Sequence, residues 1–452
     1  MRKIILLAIT LNTLTARGNT LSYPDSKPGE TVDTLHGIRV PDPYRWLEDL
    51  NSDQTAAWVK AQSSLTNSYL DAIPGRQVLK NHLTKLWNVE RLGVPSFEGG
   101  SYFFSKNNGL QNQSVLYSTK SLDIEPTVLL DPNTLSSDGT VALKSYEVSP
   151  DGKYLAYSTS ASGSDWVEWQ VREISSGKDL SDHLKWSKFS GASWSKDSKG
   201  FYYGRFPKPK GGDEMIAKNI HKKIYYHEIG TPQDEDLLVY ERPNEPKQGL
   251  YAWVTEDGKY LLIQVSQGTD TKNGLFYKDL TNPTSKVIEL LADFDASYDF
   301  ITNLGSNFII RTDLKAPKQK VVSIDLNAPI STQWKTIIPE SKETLRSVSH
   351  IGGLFIANYL KDARTEIRRF KTDGSPLRPV KLPGLGTATG FGGKSNRNET
   401  FYYFTSFTSP GAVYRYDIAR NASTLFKAPK TQFDRDNYCL LYTSDAADDP
   451  TC

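Results

Sequence analysis

The chain has 452 residues, enough for one large domain or two of medium size. Hydrophobic residues make up 38% and aromatic residues 11%, with 24 tyrosines, which is β-rich globular usage and excludes a disordered chain. The 54 basic and 52 acidic residues leave a formal charge of +2 with no basic stripe, so no nucleic-acid partner is expected.

The N-terminus reads MRKIILLAITLNTLTA. Arg2 and Lys3 form a basic start, residues 4–14 a mostly apolar run, and Ala16 a small residue before a cleavage point. Residues 1–22 are therefore read as a signal peptide, the alternative being a spurious extension of a cytosolic chain. The signal places the protein outside the cell or in a periplasm; without it the expectation is cytoplasmic. The run is too short to span a bilayer and no other segment suits, so no membrane partner is expected.

Residues 23–50 carry much punctuation, with two short pieces, 33–40 and 43–50, joined by Pro41-Asp42-Pro43. A helix is predicted from about Asp53. Its apolar positions Trp58, Ala61, Leu65, Tyr69 and Ile73 step by three or four, Ser52 or Asp53 caps it, and Pro74-Gly75 ends it. Leu79, His82, Leu83 and Leu86 mark a second helix. Together, residues 23–88 make a short α-helical N-terminal arm with apolar faces that must dock on something.

From there a strand signature recurs at a spacing of roughly 50 residues. Its copies start at Tyr102, Tyr154, Phe201, Tyr260, Phe308, Leu354 and Phe401. Each is an aromatic or β-branched run, usually led in by a tight turn, as in SPDGKYLAYS and TEDGKYLLIQ. A second strand follows each first one, over 114–119, 165–174, 223–229, 274–280, 320–326, 365–371 and 411–417. Several alternate apolar and polar residues, as in Val322-Ser323-Ile324-Asp325, so one face is buried and one wet. Short strands repeated at this period predict one propeller blade per repeat. The fold class is thus all-β: a seven-bladed β-propeller over 89–428, preceded by the helical arm. A β-sandwich, the alternative, has no reason to repeat in this way.

Metal chemistry finds little footing. The only cysteines, Cys439 and Cys452, lie in the last 14 residues. His221 and His227 are the closest pair of histidines, but six residues of strand hold them roughly 20 Å apart. No metal and no cofactor are expected, and both histidines read as ordinary strand and turn residues. Residues 390–395, GFGGKS, resemble the end of a phosphate loop. Ala388 stands where that pattern needs its first glycine, and a strand rather than a helix follows, so an inter-strand turn is the better reading.

The segments HGIRVPDPYRWLED (36–49), NGLQNQSVLY (108–117), LDPNTLSSDGTVAL (130–143), SASGSDW (160–166) and FTSFTSPGAVY (404–414) resemble prolyl oligopeptidase, a serine peptidase family. The likeness runs almost unbroken from Tyr23 to Tyr438. It implies a two-domain enzyme that cleaves short peptides after proline and is a monomer when intact. In it, a short N-terminal segment and a long C-terminal part build an α/β-hydrolase domain. The propeller between them excludes large folded substrates. The arm at 23–88 would then pack on that hydrolase domain, and 429–438 would begin the linker back to it.

The resemblance also implies two substrate-binding residues. Asp165, in SASGSDW, matches a blade loop that faces the hydrolase domain in the family; the bland alternative is turn capping. Phe189, in KFSGASW, matches an aromatic that lines the apolar pocket for residues upstream of the proline; the alternative is inter-blade core. Gly249 stands where a larger apolar residue is expected and Thr269 where a cysteine is, so sensitivity to thiol reagents is not expected. The family's catalytic serine sits in a G-x-S-x-G elbow, followed by Asp and His. No G-x-S-x-G occurs in the 452 residues, and the tail CLLYTSDAADDPTC (439–452) departs from the family pattern and reads as a sequencing-adapter artefact. No catalytic residue is assigned here. The expectation is an inactive N-terminal portion of a prolyl oligopeptidase. The competing class is a stand-alone propeller that binds a protein partner, and reading the same locus past codon 438 discriminates the two.

Overall fold

The computed structural model describes residues 21–210, 214, 217–431 and 437–438. The signal-peptide reading of 1–22 and the artefact reading of 439–452 fall almost wholly outside them. The described residues form two compact units, one ending at Lys85 and the other beginning at Leu86.

The first unit opens with a hairpin of Val32–Leu35 against Ile38–Pro41. His36 and Gly37 turn it, both with positive φ. A single 3-10 turn, Arg45–Glu48, follows. Helix α1 spans Asp53–Asp71, and the Ser52 hydroxyl accepts the Thr55 N–H at 3.2 Å as its N-cap. Helix α2 spans Arg76–Trp87. The stripe expected on α1 is only partly covered. Trp58 meets Trp46 edge to face at 6.5 Å and donates to the Ser26 hydroxyl at 2.8 Å. Tyr69, Ile73, Leu79, Leu83 and Leu86 are exposed.

The second unit is the propeller. Seven antiparallel sheets follow in chain order, the first with five strands and each of the others a four-stranded meander. Across each sheet the seven signature runs all lie second, for example Ser101–Asn107, Tyr154–Ala161 and Tyr260–Gln267; in blade 1 two short strands, Arg91–Leu92 and Ser96–Glu98, both pair with that run and together stand first. The runs read next are all third strands. These two strands are the buried middle of each blade, which is why they carry the aromatic and β-branched signal.

The apolar core is a set of layers between blades. Phe103 and Leu116 pack on Leu155 and Tyr157 between blades 1 and 2. Trp169 and Leu184 meet Trp194 and Phe201 between blades 2 and 3. Equivalent layers join blades 3 to 4, 4 to 5, 5 to 6 and 6 to 7. Among the described residues no such layer joins blade 7 to blade 1, and no strand is shared between them. That seam is held by side chains: Tyr102 donates to Glu399 at 2.8 Å, Lys394 pairs with Glu98 at 2.8 Å, Lys427 pairs with Glu90 at 2.9 Å, and Arg397 lies 3.8 Å over the Phe97 ring.

Candidate functional site

A four-stranded meander sorts its connections by end. Turns from first to second and from third to fourth strand lie at one end. Turns from second to third strand lie at the other, together with the crossings to the next blade. Asp165 sits in the 162–166 turn between the second and third strands of blade 2. Phe189 sits in the crossing from blade 2, whose last strand is Lys178–Ser187, to blade 3, whose first strand is Ala192–Trp194. The topology therefore brings both residues to the crossing face of the same two blades.

Phe189 is not inter-blade core. Its side chain is 50% exposed, and its φ of 49° puts a bulky residue in the left-handed region. Trp186, three residues earlier, is also left-handed at 62°. One such residue in the crossing and one at the end of the strand that feeds it cost on the order of 1–3 kcal/mol each, so the surroundings must hold the crossing in place. They do so with named bonds. Ser187 Oγ donates to the Gly204 carbonyl at 2.7 Å, Gly204 N–H donates to Ser190 Oγ at 2.7 Å, and Lys222 Nζ donates to the Phe189 carbonyl at 2.6 Å.

Around the crossing lies a cluster of rings and ammonium groups. Trp166 meets Trp186 at 5.7 Å and Phe206 at 6.2 Å, both edge to face, and its indole N–H donates to the Glu214 carbonyl at 2.6 Å. Lys188 Nζ lies 3.9 Å over the Trp166 ring and donates to Asn219 Oδ1 at 3.2 Å. Burial pulls the Lys188 ammonium below the usual lysine range, and the Asp165 carboxylate opposes that. Asp165 itself is exposed. Lys222 Nζ lies 4.0 Å over Tyr251, and burial pushes that ammonium down to about 7. The arrangement offers an apolar, stiff, partly open surface that suits an extended peptide with a bulky side chain.

Sequence reading named Asp165 and Phe189 on this face but not Lys188, Lys222, Trp166, Trp186 or Phe206. Alternation within strands carries no signal for residues in turns and crossings. It read His227 as an ordinary strand residue and could not show its bridge: the side chain is fully buried between Asp182 at 2.9 Å and Asp236 at 2.7 Å. Burial opposes the imidazolium, but those two bonds outweigh it and raise His227 to about 9. The group ties blade 2 to blade 3 and lies away from solvent, so it is structural. No group of three or more potential metal ligands occurs among the described residues.

The opposite end of the propeller holds a cavity of about 670 Å³, lined by Phe97, Trp253, Phe300, His350, Lys394 and Arg397 among others. The glycine-rich loop after Thr387–Gly390 borders it. There the Ser395 N–H and Oγ both donate to the Glu256 carboxylate of blade 4, at 3.0 Å each. An amide already committed to a carboxylate does not cradle a phosphate, in keeping with the inter-strand turn expected at 390–395.

Comparison with known proteins fits this geometry. The family described as prolyl oligopeptidase, N-terminal beta-propeller domain, matches residues 24–429. The chain is 37% identical over 429 residues to a prolyl endopeptidase of Elizabethkingia meningoseptica, covering 94% of this chain and 60% of that one. It is 33% identical over 445 residues to a dual function macrocyclase-peptidase of Amanita bisporigera, covering 91% of this chain and 59% of that one. Prolyl oligopeptidase B from Galerina marginata, solved with a 35mer hydrolysis and macrocyclization substrate, superposes with a TM-score of 0.81 at 31% identity, covering 92% of this chain and 62% of that one. The chain thus spans about 60% of the length of the curated relatives it matches. By its propeller, its motifs and these relatives, the chain belongs to the prolyl oligopeptidase family.

Proposed function

We propose that this chain supplies the propeller and N-terminal arm of a serine endopeptidase that cleaves short peptides after proline. The propeller limits access to short, unfolded chains, and its crossing face contributes Phe189 and Asp165 to the substrate site. The family resemblance puts the reacting serine, histidine and aspartate in a hydrolase part outside these residues, and on this reading the 452 residues alone are inactive. The intact enzyme acts as a monomer, and a secreted or periplasmic setting follows if the N-terminal signal operates.

One observation carries the reading: an exposed Phe189 ring on a left-handed crossing whose carbonyl is held by Lys222 and whose neighbour Lys188 lies over the Trp166 ring. The test is titration of the chain with acetyl-Phe-Ala-Pro-amide, followed by tryptophan fluorescence. Phe189→Ala is expected to weaken binding about tenfold, the loss of one aromatic contact of ~1.4 kcal/mol. Equal affinity in the variant and the unsubstituted chain would remove Phe189 from the site.

A further inference from the structure

Lys222 is a feature of this face that packing does not explain. It immediately precedes the third strand of blade 3, Lys223–Glu228, and is 3% exposed. Among the described residues its Nζ makes a single hydrogen bond, to the Phe189 carbonyl at 2.6 Å, and lies 4.0 Å from the Tyr251 ring centre and 5.8 Å from that of Phe206. Among the described residues no carboxylate lies within ion-pair reach of it. A buried ammonium without a counter-charge is costly, and a methionine would fill the same space without that cost.

The backbone makes room for it. A side chain at Gly204 would bring its Cβ within 2.6 Å of Lys222 Cε and 3.3 Å of its Nζ. The second strand of blade 3 therefore leaves out a side chain where the lysine lies. The same Gly204 binds Ser187 and Ser190 on either side of Phe189. Lys222 and Gly204 thus grip one crossing from two strands, at the carbonyl of its exposed aromatic residue and at both of its flanks.

We propose that Lys222 is a positioning residue for peptide recognition: it clamps the Phe189 carbonyl and fixes the height and direction of the ring offered to a bound peptide. The ammonium is kept for that bond, at the expense of stability. The specificity effect rests on the reading of Phe189 as a peptide contact; the clamp itself does not.

The test compares Lys222→Met and Lys222→Gln with the unsubstituted full chain. The measurements are melting temperature, amide hydrogen exchange over 187–191, and relative affinity for acetyl-Phe-Ala-Pro-amide over acetyl-Gly-Ala-Pro-amide. Lys222→Met is expected to keep or raise the melting temperature, speed exchange at 187–191 about tenfold, and abolish the preference for the phenylalanine peptide. Lys222→Gln, which keeps a donor, restores part of both. Unchanged exchange at 187–191 in Lys222→Met overturns the clamp. So does a lowered melting temperature with faster exchange throughout blades 2 to 4, which is the signature of a lysine that only supports packing. Local acceleration without any peptide preference in the unsubstituted chain supports the clamp and overturns the peptide-contact reading of Phe189.

Discussion

His227 shows what a single residue contributes and why sequence could not announce it. Its partner Asp182 is 45 residues away in the neighbouring blade. The spacing of the two histidines, His221 and His227, therefore pointed to nothing, while the bridge to Asp182 and Asp236 stayed hidden until blades 2 and 3 were set side by side. The bridge sets a pH dependence. In the folded protein the imidazole titrates at about 9, against ~6.5 when unfolded. Its stabilisation is then fully present below pH ~6.5 and is lost as pH rises through about 9, a span worth on the order of 3 kcal/mol. Urea denaturation midpoints from pH 6 to 10 should fall over this window, and Asp236→Asn should flatten the slope. A midpoint that rises across the same window in the unsubstituted chain, and keeps its slope in Asp236→Asn, would remove His227 as its source. Phe189 was legible as an aromatic of interest, but its placement was not. A phenylalanine between two strands reads equally as core, and only the left-handed backbone and its three supporting bonds turn it outward.

At the scale of elements, the middle strands of each blade were legible and the edges were not. Tyr260–Gln267 is buried on both faces and follows an Asp257-Gly258 turn, so composition and punctuation agree. The first strand of blade 3, Ala192–Trp194, has three residues, and the last of blade 6, Pro376–Leu377, has two. Runs that short carry no periodicity. The helices were legible because their caps and stripes are local, and α1 starts where Ser52 predicts. What covers their apolar faces is not local information. With Leu79, Leu83, Leu86 and Trp87 exposed, α2 has little tertiary support, and a helix of this length is marginal by itself. Hydrogen exchange should therefore be much faster across Arg76–Trp87 than across Tyr260–Gln267, and the exposed face should promote concentration-dependent association. Slow exchange across α2 in a monomeric sample would mean that this face has found a partner surface and would favour a stand-alone binding protein.

Across the whole molecule, stability is distributed by interface. Six blade junctions are layers of buried side chains, and the junction of blade 7 with blade 1 is a set of ion pairs, hydrogen bonds and ring contacts. Phe308, fully buried and packed on Tyr260, Tyr277 and Phe300 at 5.1–5.3 Å, belongs to the first kind. Phe308→Ala should lower unfolding free energy by about 3–5 kcal/mol. Tyr102→Phe removes the bond to Glu399 and belongs to the second kind. It should cost about 1 kcal/mol or less and speed exchange in blades 1 and 7 alone; acceleration in blade 4 as well would mean that the ring has no preferred seam. Blade number and family were legible because the repeat spans the chain and the motifs are long. The side chains that hold the seam between blades 7 and 1 are far apart in the chain and required the structure. On the proposed function, this propeller serves a serine peptidase whose reacting groups lie outside these residues. Incubation of the full chain with an active-site serine phosphonate and a chromogenic proline peptide tests it most directly, since each member of a catalytic triad supplies orders of magnitude in rate. The expected result is no turnover and no labelled serine. Labelling of one defined serine above a heat-denatured control would contradict the claim.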